Sequence, residues 1–340
     1  MKLGKVSESI LKRSVLKYTN IKKANLNESC KGQLLNGAGV GEDCAVFSWS
    51  EDALVLTAGA SGTYAAPHQM EYAMHRAANN IYAAGGIPES AILHIMMPDH
   101  LREAKLKYIM EEAHEVALKL GITLAGGHTE VTDAVNRPCV SVTMLGSKDK
   151  MQNRVFHAKA GEDIVMTKWA GMAGTLQLTD RYADSLSERF SAVFLHEIEA
   201  MREELSIATE AADAVKSGIS GMHDVAEGGV FAALWELAEK SGTGLLVDLK
   251  KIPIRQETIE ICNHLDRNPY ELMGTGSLLI TCENGYHLVE CLQRAGIMAS
   301  VIGKTTDGHD RLLVNDDEKR FLEPARNEEL FAEEQKNVTV

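Results

Sequence analysis

The stretch from Met70 to Ala84 restricts the fold more than any other, because its apolar positions recur at helical spacing and are unusually small. These positions are Met70, Ala73, Met74, Ala77 and Ile81. A helix with so small an apolar face can bring its backbone close to a sheet, so we expect it to be deeply packed. Gly85-Gly86-Ile87-Pro88 predicts where the helix ends. The stretch therefore indicates a domain in which helices cover a sheet.

The rest of the first half alternates β-rich and amphipathic segments around this helix. Predicted strands cover Leu54–Thr57, Ala91–Met97, Ile122–Ala125 and Cys139–Leu145. A second helix is predicted from Pro98 to Gly121, and Gly126-Gly127-His128-Thr129 is predicted to be a tight turn. This alternation is typical of a layered α+β domain.

The second half repeats this organisation after a polar connector at Lys148–Gly161. Its predicted strands cover Ile164–Thr167, Leu245–Val247 and Leu278–Thr281, and its predicted helices cover Phe190–Met201, Ile207–Lys216 and the segment after Gly229 as far as Lys240. The chain becomes acidic after Asn315, which predicts a solvated tail. Because 340 residues exceed the usual size of one core, we predict two domains, at 1–150 and 151–340.

The overall charge and composition exclude several classes of protein. A formal net charge of −13, with no dense block of Lys and Arg, disfavours a nucleic-acid partner. No apolar run approaches membrane-spanning length, and the segment that starts at Met1 lacks the apolar core of a signal peptide. The six cysteines form no Cys-x-x-Cys pair, which predicts reduced thiols. These features predict a cytoplasmic protein without membrane association.

The segment from Gly37 to Val46 places glycines and two acids before an apolar strand. Backbone N–H groups at Gly37, Gly39 and Gly41 could face a phosphate, while Asp43 could hold Mg²⁺ bridged to its oxygens. The alternative is a hairpin turn with solvated acids. No Gly-x-x-x-x-Gly-Lys-[Ser/Thr] motif is present, which disfavours an ordinary P-loop NTPase.

Two further clusters could bind anions or metals. Asp224 is predicted to begin a turn that continues to Gly228 and Gly229 and opens a helix, where a phosphate could bind, although a simple helix cap is the alternative. His128 and Glu130 follow a predicted strand and could bind a metal together with Asp43 or His68. A structural histidine is the alternative for His128.

The order and spacing of these motifs resemble the aminoimidazole ribonucleotide synthetase (AIR synthase-related) superfamily. The resemblance spans roughly residues 37–303 and includes the segments 40–46, 125–131, 223–229, 252–269 and 276–279. Within the superfamily, the chain is most similar to the branch of the hydrogenase maturation protein HypE, a carbamoyl dehydratase. It lacks the C-terminal cysteine tail of that branch, because its last cysteine is Cys291.

The resemblance implies a two-domain homodimer in which the N-terminal sheets complete a shared barrel and the C-terminal domain is an α/β sandwich. ATP and Mg²⁺ would bind in clefts near the dimer interface, and the reaction would transfer the ATP γ-phosphate to an oxygen atom or activate that oxygen, as in a ligase, kinase or dehydratase. The implied catalytic residues are Asp43 and Asp224, and the implied metal ligands are Asp43 and His128. The implied nucleotide-binding residues are Gly37, Gly39, Gly41, Asp43, Asn80, Gly127, His128, Thr129, Gly228 and Gly229.

Three positions depart from the superfamily pattern, because Gly59, Asn80 and His128 stand where relatives usually carry acids. Mg²⁺ prefers oxygen ligands, so these replacements should weaken the usual metal site. Two hypotheses follow. The protein is an ATP-dependent enzyme with an unidentified substrate, or it is a dimeric scaffold that binds or regulates without turnover. Cys30 and Lys31 lie near the place of a reactive residue in other relatives, but their surroundings do not match.

Overall fold

A computed structural model describes residues 6–19, 33–48, 53–62, 67–149, 156–324 and 328–331 of the chain. The chain divides into two compact units. The smaller unit contains residues 23–37 and 43–153. The larger unit contains residues 1–22, 38–42 and 154–340, so a short part of the glycine-rich segment belongs to it.

The smaller unit is a six-stranded sheet with two helices on one face. Its strands are β1 (Gln33–Asn36), β2 (Ala45–Ser48), β3 (Ala53–Gly62), β4 (Ile87–Met97), β5 (Thr123–Val131) and β6 (Cys139–Asp149). They are arranged in the order β1-β2-β3-β6-β4-β5, and all pairs are antiparallel except the parallel pair of β4 and β5. The helices are α2 (Gln69–Ala83) and α3 (Glu103–Leu120).

Helix α2 confirms the prediction of a deeply packed helix, because its small apolar positions are fully buried. Its buried face packs with α3 and alternate residues of the strands into one core. Helix α3 ends at Gly121, which adopts a left-handed conformation at φ 68°.

Helix α2 ends at Ala83, just before the predicted stop at Gly85-Gly86-Ile87-Pro88, and Ile87 and Pro88 already begin β4. One local prediction for this unit is wrong, because residues 126–129 are the middle of β5 instead of a turn. Gly126 and Gly127 adopt φ values of 147° and 153°, and the parallel pairing with β4 holds them in line. A side chain at Gly127 would place its Cβ 1.8 Å from the carbonyl oxygen of Leu93. Glycine is therefore required here for close strand pairing.

The larger unit contains a seven-stranded sheet in the order β13-β12-β9-β11-β7-β10-β8. Its strands are β7 (Asp163–Thr167), β8 (Gly221–Val225), β9 (Gly244–Asp248), β10 (Ser277–Cys282), β11 (Ala299–Thr306), β12 (Arg311–Asn315) and β13 (Glu318–Phe321). Its helices are α1 (Glu8–Ser14), α4 (Met172–Arg181), α5 (Ala183–Arg189), α6 (Ala192–Ala200), α7 (Ala208–Lys216), α8 (Gly229–Ser241), α9 (Gln256–Leu265) and α10 (Gly285–Arg294).

The central strands β7, β8 and β10 are buried along their whole length, and α8 packs against β8 and its neighbours. The N-terminal helix α1 contacts α8 through polar groups. Glu8 accepts a hydrogen bond from the indole nitrogen of Trp235, and Lys12 pairs with Glu239, which also binds Arg311. Lys12 and Arg311 lower the pKa of Glu239 to about 2.

The prediction of a solvated tail after Asn315 is correct for residues 316–321, which are exposed, but wrong for the described residues that follow and are buried. Residues 318–321 form β13, which pairs with β12 at the edge of the sheet, and Leu330 and Phe331 are buried. The described cysteines Cys44, Cys139, Cys262, Cys282 and Cys291 are free, as predicted. Burial raises the pKa of Cys262 to about 12 and that of Cys282 to about 11, so both are inert core thiols.

Candidate functional site

The part of the glycine-rich segment at 38–42 lies against α8 within the larger unit. Gly41 has φ 73°, and a Cβ atom there would lie 2.6 Å from the carbonyl oxygen of Glu236. The Glu42 carboxylate lies 3.2 Å from Nζ of Lys240, and the two side chains are only 16% and 7% exposed. Glu42 is therefore held in a buried ion pair, and the alternative of solvated acids fails for this residue.

Asp43 begins the part of this segment that belongs to the smaller unit, two residues before β2. It is partly buried, and the next residue, Cys44, is buried. The Cys44 thiol donates a hydrogen bond of 3.0 Å to the main-chain oxygen of Asn80. This bond brings the residue after Asp43 to the last turn of α2. The structure thus places two predicted site residues, Asp43 and Asn80, in one region of the smaller unit.

His128 and Thr129 lie on β5, which is the exposed edge of the six-stranded sheet. Nε2 of His128 lies 3.4 Å from Oε2 of Glu130, and the two side chains are 67% and 45% exposed. In the parallel ladder His128 is the partner of His94 on β4, whose side chain is also exposed. This arrangement leaves two imidazoles and a carboxylate on one open face of the sheet.

The predicted metal ligands Asp43 and His128 are not on neighbouring strands of this chain. Strands β3, β6 and β4 lie between β2 and β5. Four steps of about 4.8 Å amount to roughly 19 Å along the sheet. Gly59 lies on β3, on the same open face as His128 but with two strands between them. Within a single chain, Asp43, Gly59 and His128 therefore lie apart from one another along the sheet.

Asp224 lies inside strand β8, so the prediction that it belongs to a turn is wrong. It is buried and pairs in register with Leu278 of β10. Its neighbour His223 is also buried, and Nε2 of His223 lies 3.1 Å from Oε2 of Glu236 on α8. Sequence reasoning missed this contact, because nothing in the spacing of His223 and Glu236 distinguishes it from other helix–strand contacts.

Gly228 and Gly229 form the N-terminus of α8, as predicted. Gly228 has φ 80° and Gly229 has φ 64°. A Cβ atom added at Gly229 would lie 2.5 Å from the main-chain oxygen of Tyr270. The N–H of Gly228 donates a hydrogen bond of 2.6 Å to Oε2 of Glu328. Sequence reasoning missed Glu328, which lies in the segment predicted to be a solvated tail.

Two family models match the chain, one for each half. Residues 41–147 match the N-terminal domain of AIR synthase related protein, and residues 159–315 match the C-terminal domain of AIR synthase related protein. Together the two matches cover more than half of the 340 residues. The chain belongs to the AIR synthase related proteins.

Similar proteins of known sequence include a putative hydrogenase expression/formation protein and a phosphoribosylformylglycinamidine synthase subunit. A putative hydrogenase expression/formation protein of Methanocaldococcus jannaschii is 23% identical over 241 residues, which are 69% of this chain and 70% of that protein. The phosphoribosylformylglycinamidine synthase subunit PurL of Methanobrevibacter smithii is 26% identical over 250 residues, which are 68% of this chain. The match spans only 33% of the PurL subunit.

Solved structures of HypE share the fold. The hydrogenase maturation protein HypE of E. coli has a TM-score of 0.69 at 19% identity, with 81% of this chain and 86% of that chain covered. A HypE structure in complex with ATP has a TM-score of 0.63 at 17% identity, with 94% and 95% covered. These similarities confirm the predicted two-domain AIR synthase-like fold and its resemblance to HypE. No helix among the described residues is long and apolar enough to span a membrane.

Proposed function

We propose that this protein binds ATP through the smaller unit and activates or phosphorylates an oxygen atom of its substrate. The observation that carries the proposal is the hydrogen bond from Cys44 to the main-chain oxygen of Asn80, which holds Asp43 beside the end of α2. The fold similarity to a HypE structure solved with ATP supports the nature of the ligand. Asp43 and Asn80 would contact the polyphosphate and its counter-ion.

The residues of this region are compatible with Mg²⁺. Mg²⁺ commonly binds through one or two carboxylates together with phosphate oxygens and water. Asp43 offers one such carboxylate, whereas Gly59 offers no side-chain ligand and the imidazole of His128 is a poor ligand for Mg²⁺. When bound, the ion would offset negative charge on the phosphates. The chain itself would position the nucleotide. Asp43 would supply the carboxylate, because it keeps an acid at a position where the superfamily pattern carries one.

Replacing Asp43 by asparagine should weaken Mg²⁺-dependent ATP binding about 10- to 100-fold, as expected for the loss of one charged contact worth about 1.5–3 kcal/mol. Isothermal titration calorimetry with ATP, with and without Mg²⁺, measures this change. Asp133→Asn is the matched control, because Asp133 belongs to the same unit, is exposed and loses the same charge.

Two outcomes would contradict the proposal. One is a protein that shows no saturable ATP binding in either condition, and the other is an Asp43→Asn variant that binds ATP as tightly as the unmodified chain. If ATP binds but no ADP forms in the presence of cell extract, the scaffold hypothesis replaces the enzyme hypothesis.

We also propose that the protein is a homodimer that covers strand β5. The proposal is supported by the exposure of β5, because eight of its nine residues are exposed and Val131 is 70% exposed. An open edge strand of this kind is normally covered or blocked, because its unpaired N–H and C=O groups can pair with another chain. A partner would also bring a second set of site residues to the open face.

Sedimentation velocity should show a dimer for the unmodified protein, and Val131→Lys should shift the population towards the monomer, because a charge at the contact must lose its hydration. Leu118→Lys is the control, since Leu118 is 69% exposed but lies on α3 instead of the edge strand. A protein that sediments as a monomer at the concentrations used for the ATP titration would refute the dimer.

A further inference from the structure

Two histidines and a glutamate lie side by side on the open face of the six-stranded sheet. His94 on β4 is the ladder partner of His128 on β5, and Glu130 follows two residues after His128 on the same strand. The preceding ladder pair, Leu93 and Gly127, belongs to the opposite face, where Leu93 is buried in the core. Because side chains alternate along a strand, His94, His128 and Glu130 all project from the open face.

The spacing of these side chains suits a metal ion. Nε2 of His128 lies 3.4 Å from Oε2 of Glu130, which is long for a hydrogen bond between nitrogen and oxygen. Two ligand atoms on a tetrahedral Zn²⁺ ion lie roughly 3.4 Å apart, because Zn–N and Zn–O bonds are about 2.0–2.2 Å long. The backbone of His94 is one strand away from that of His128, at about 4.8 Å. An ion beside His128 and Glu130 is therefore within reach of a second imidazole.

The three side chains are available to a ligand. His128 and Glu130 are 67% and 45% exposed, and an exposed ion pair of this kind contributes little to stability. His94 is also exposed, and among the residues that the structure describes no hydrogen bond or ion pair engages its imidazole. The ring of His94 can therefore turn towards His128 without breaking a contact that stabilises the fold.

The donor atoms indicate which class of metal would bind. Imidazole suits Zn²⁺ and other transition metal ions, whereas Mg²⁺ prefers oxygen ligands. Two histidines and one glutamate are also a ligand set of zinc sites that keep a fourth position open for water or a substrate atom. The replacement of the usual acid by His128, which disfavours Mg²⁺ at this position, favours a transition metal ion instead.

We infer that His94, His128 and Glu130 bind one divalent transition metal ion, of which Zn²⁺ is the best fit. The fourth position would hold a water molecule or an oxygen atom of another ligand. The inference goes beyond the proposed function, because His94 belongs to no predicted site. All three ligands come from the smaller unit of one chain, so the inference depends neither on ATP binding nor on the homodimer.

Isothermal titration calorimetry of the metal-free full chain with ZnCl₂, without nucleotide and without an affinity tag, tests the inference. The substitutions His94→Gln, His128→Gln and Glu130→Gln should each weaken Zn²⁺ binding roughly tenfold or more, since even the loss of a residue that only supports a metal ligand commonly has an effect of that size. An excess of MgCl₂ should leave the Zn²⁺ affinity of the unmodified chain unchanged. Circular dichroism should show all three variants folded, because the replaced side chains are exposed.

Two control variants measure Zn²⁺ binding at other histidines. His114 is exposed on α3, which packs on the opposite face of the same sheet, so His114→Gln should bind Zn²⁺ normally. On α10 of the larger unit, Nε2 of His287 lies 3.8 Å from Sγ of Cys291, and this pair could bind Zn²⁺ independently. His287→Gln should leave the affinity of the proposed site unchanged.

Co²⁺ distinguishes the two pairs by spectroscopy. Bound by two imidazoles and a carboxylate, Co²⁺ should give visible d–d bands without the near-ultraviolet charge-transfer band of a thiolate ligand. These d–d bands should disappear in His94→Gln and His128→Gln and persist in His114→Gln. A thiolate band that disappears in His287→Gln would instead assign the ion to Cys291.

Three results would overturn the inference. The first is a chain that binds no stoichiometric Zn²⁺, whether or not it binds ATP. The second is a His94→Gln variant that binds Zn²⁺ as tightly as the unmodified chain, which would reduce the site to an exposed pair of His128 and Glu130. The third is a loss of affinity in His287→Gln as large as that in His128→Gln.

Discussion

Replacing Lys168 by methionine is expected to lower the free energy of unfolding by about 3–5 kcal/mol, because it leaves a buried carboxylate without its partner. Nζ of Lys168 lies 2.7 Å from Oε1 of Glu210, and the two side chains are 9% and 3% exposed. Nζ also donates hydrogen bonds to the main-chain oxygens of Glu204 at 2.7 Å and Ser206 at 2.6 Å. The ammonium group therefore joins the end of β7 to the segment before α7.

The effect should depend on pH in a defined direction. Burial raises the pKa of Glu210, and Lys168 partly offsets the increase. Without Lys168 the pKa of Glu210 in the folded state should rise further. A raised pKa in the folded state means that stability is greatest below the unfolded value, about 4.3 for a glutamate, and decreases as pH rises through the folded value. The loss in Lys168→Met should therefore be larger at pH 7 than at pH 5.

Urea unfolding followed by circular dichroism at these two pH values measures the change. Lys216→Met is the matched control, because Lys216 is 75% exposed and pairs with Asp213 at 3.0 Å, so its loss should change stability by less than about 1 kcal/mol. Adding Glu210→Leu to Lys168→Met should recover stability, because it removes the unpaired acid. A loss from Lys168→Met no greater than that from Lys216→Met would show that the buried pair does not stabilise the fold.

Much of the fold could be predicted from the spacing of hydrophobic residues along the sequence, because this spacing shows which face of a helix or strand is buried. Helix α2 and the strands β3, β6, β7 and β10 lie where the periodicity placed them, whereas α3 ends as predicted but begins at Glu103 instead of Pro98. The errors fall where tertiary contacts overrule a local preference. Gly126 and Gly127 have the composition of a turn, but parallel pairing with β4 extends them. Leu330 and Phe331 lie in an acidic segment, but they are buried within the larger unit.

The candidate site was less predictable, because it depends on contacts between distant segments. The motif Asp224–Gly229 indicated correctly that α8 begins at paired glycines. It could not indicate that Glu328, 100 residues further along, would cap that helix. The spacing around Asp43 likewise could not indicate the hydrogen bond between Cys44 and Asn80. Motif order identifies the family, whereas the partners of each side chain are fixed only by the folded chain.

The second large effect is expected at Gly41, where alanine should destabilise the larger unit. The left-handed conformation at φ 73° should cost an alanine about 1–2 kcal/mol. Displacing the backbone of Glu236, whose oxygen would lie 2.6 Å from the new Cβ, should cost about 1–3 kcal/mol more. The total exceeds the effect of most surface substitutions. Urea unfolding of Gly41→Ala measures it.

Two other glycines separate these contributions. Gly121 has φ 68°, and a Cβ atom added there would have no neighbour within 4 Å, so Gly121→Ala reports the backbone conformation alone. A Cβ atom at Gly39 would lie 2.9 Å from Cγ of Glu42, whose carboxylate is held by Lys240, so Gly39→Ala reports the cost of shifting this side chain without displacing the backbone of another segment. We expect Gly41→Ala to be the most destabilising of the three.

The same variants distinguish two roles for the glycine-rich segment. If Gly41 is a glycine because the loop packs against α8, Gly41→Ala should lower stability, and ATP should bind normally at temperatures where the variant remains folded. If Gly41 is a glycine because its backbone approaches a phosphate, ATP affinity should fall while the unfolding free energy remains close to that of Gly121→Ala. The 2.6 Å approach to Glu236 favours the first outcome. Under the proposed function, Asp43 is then the residue of this segment whose replacement should weaken ATP binding.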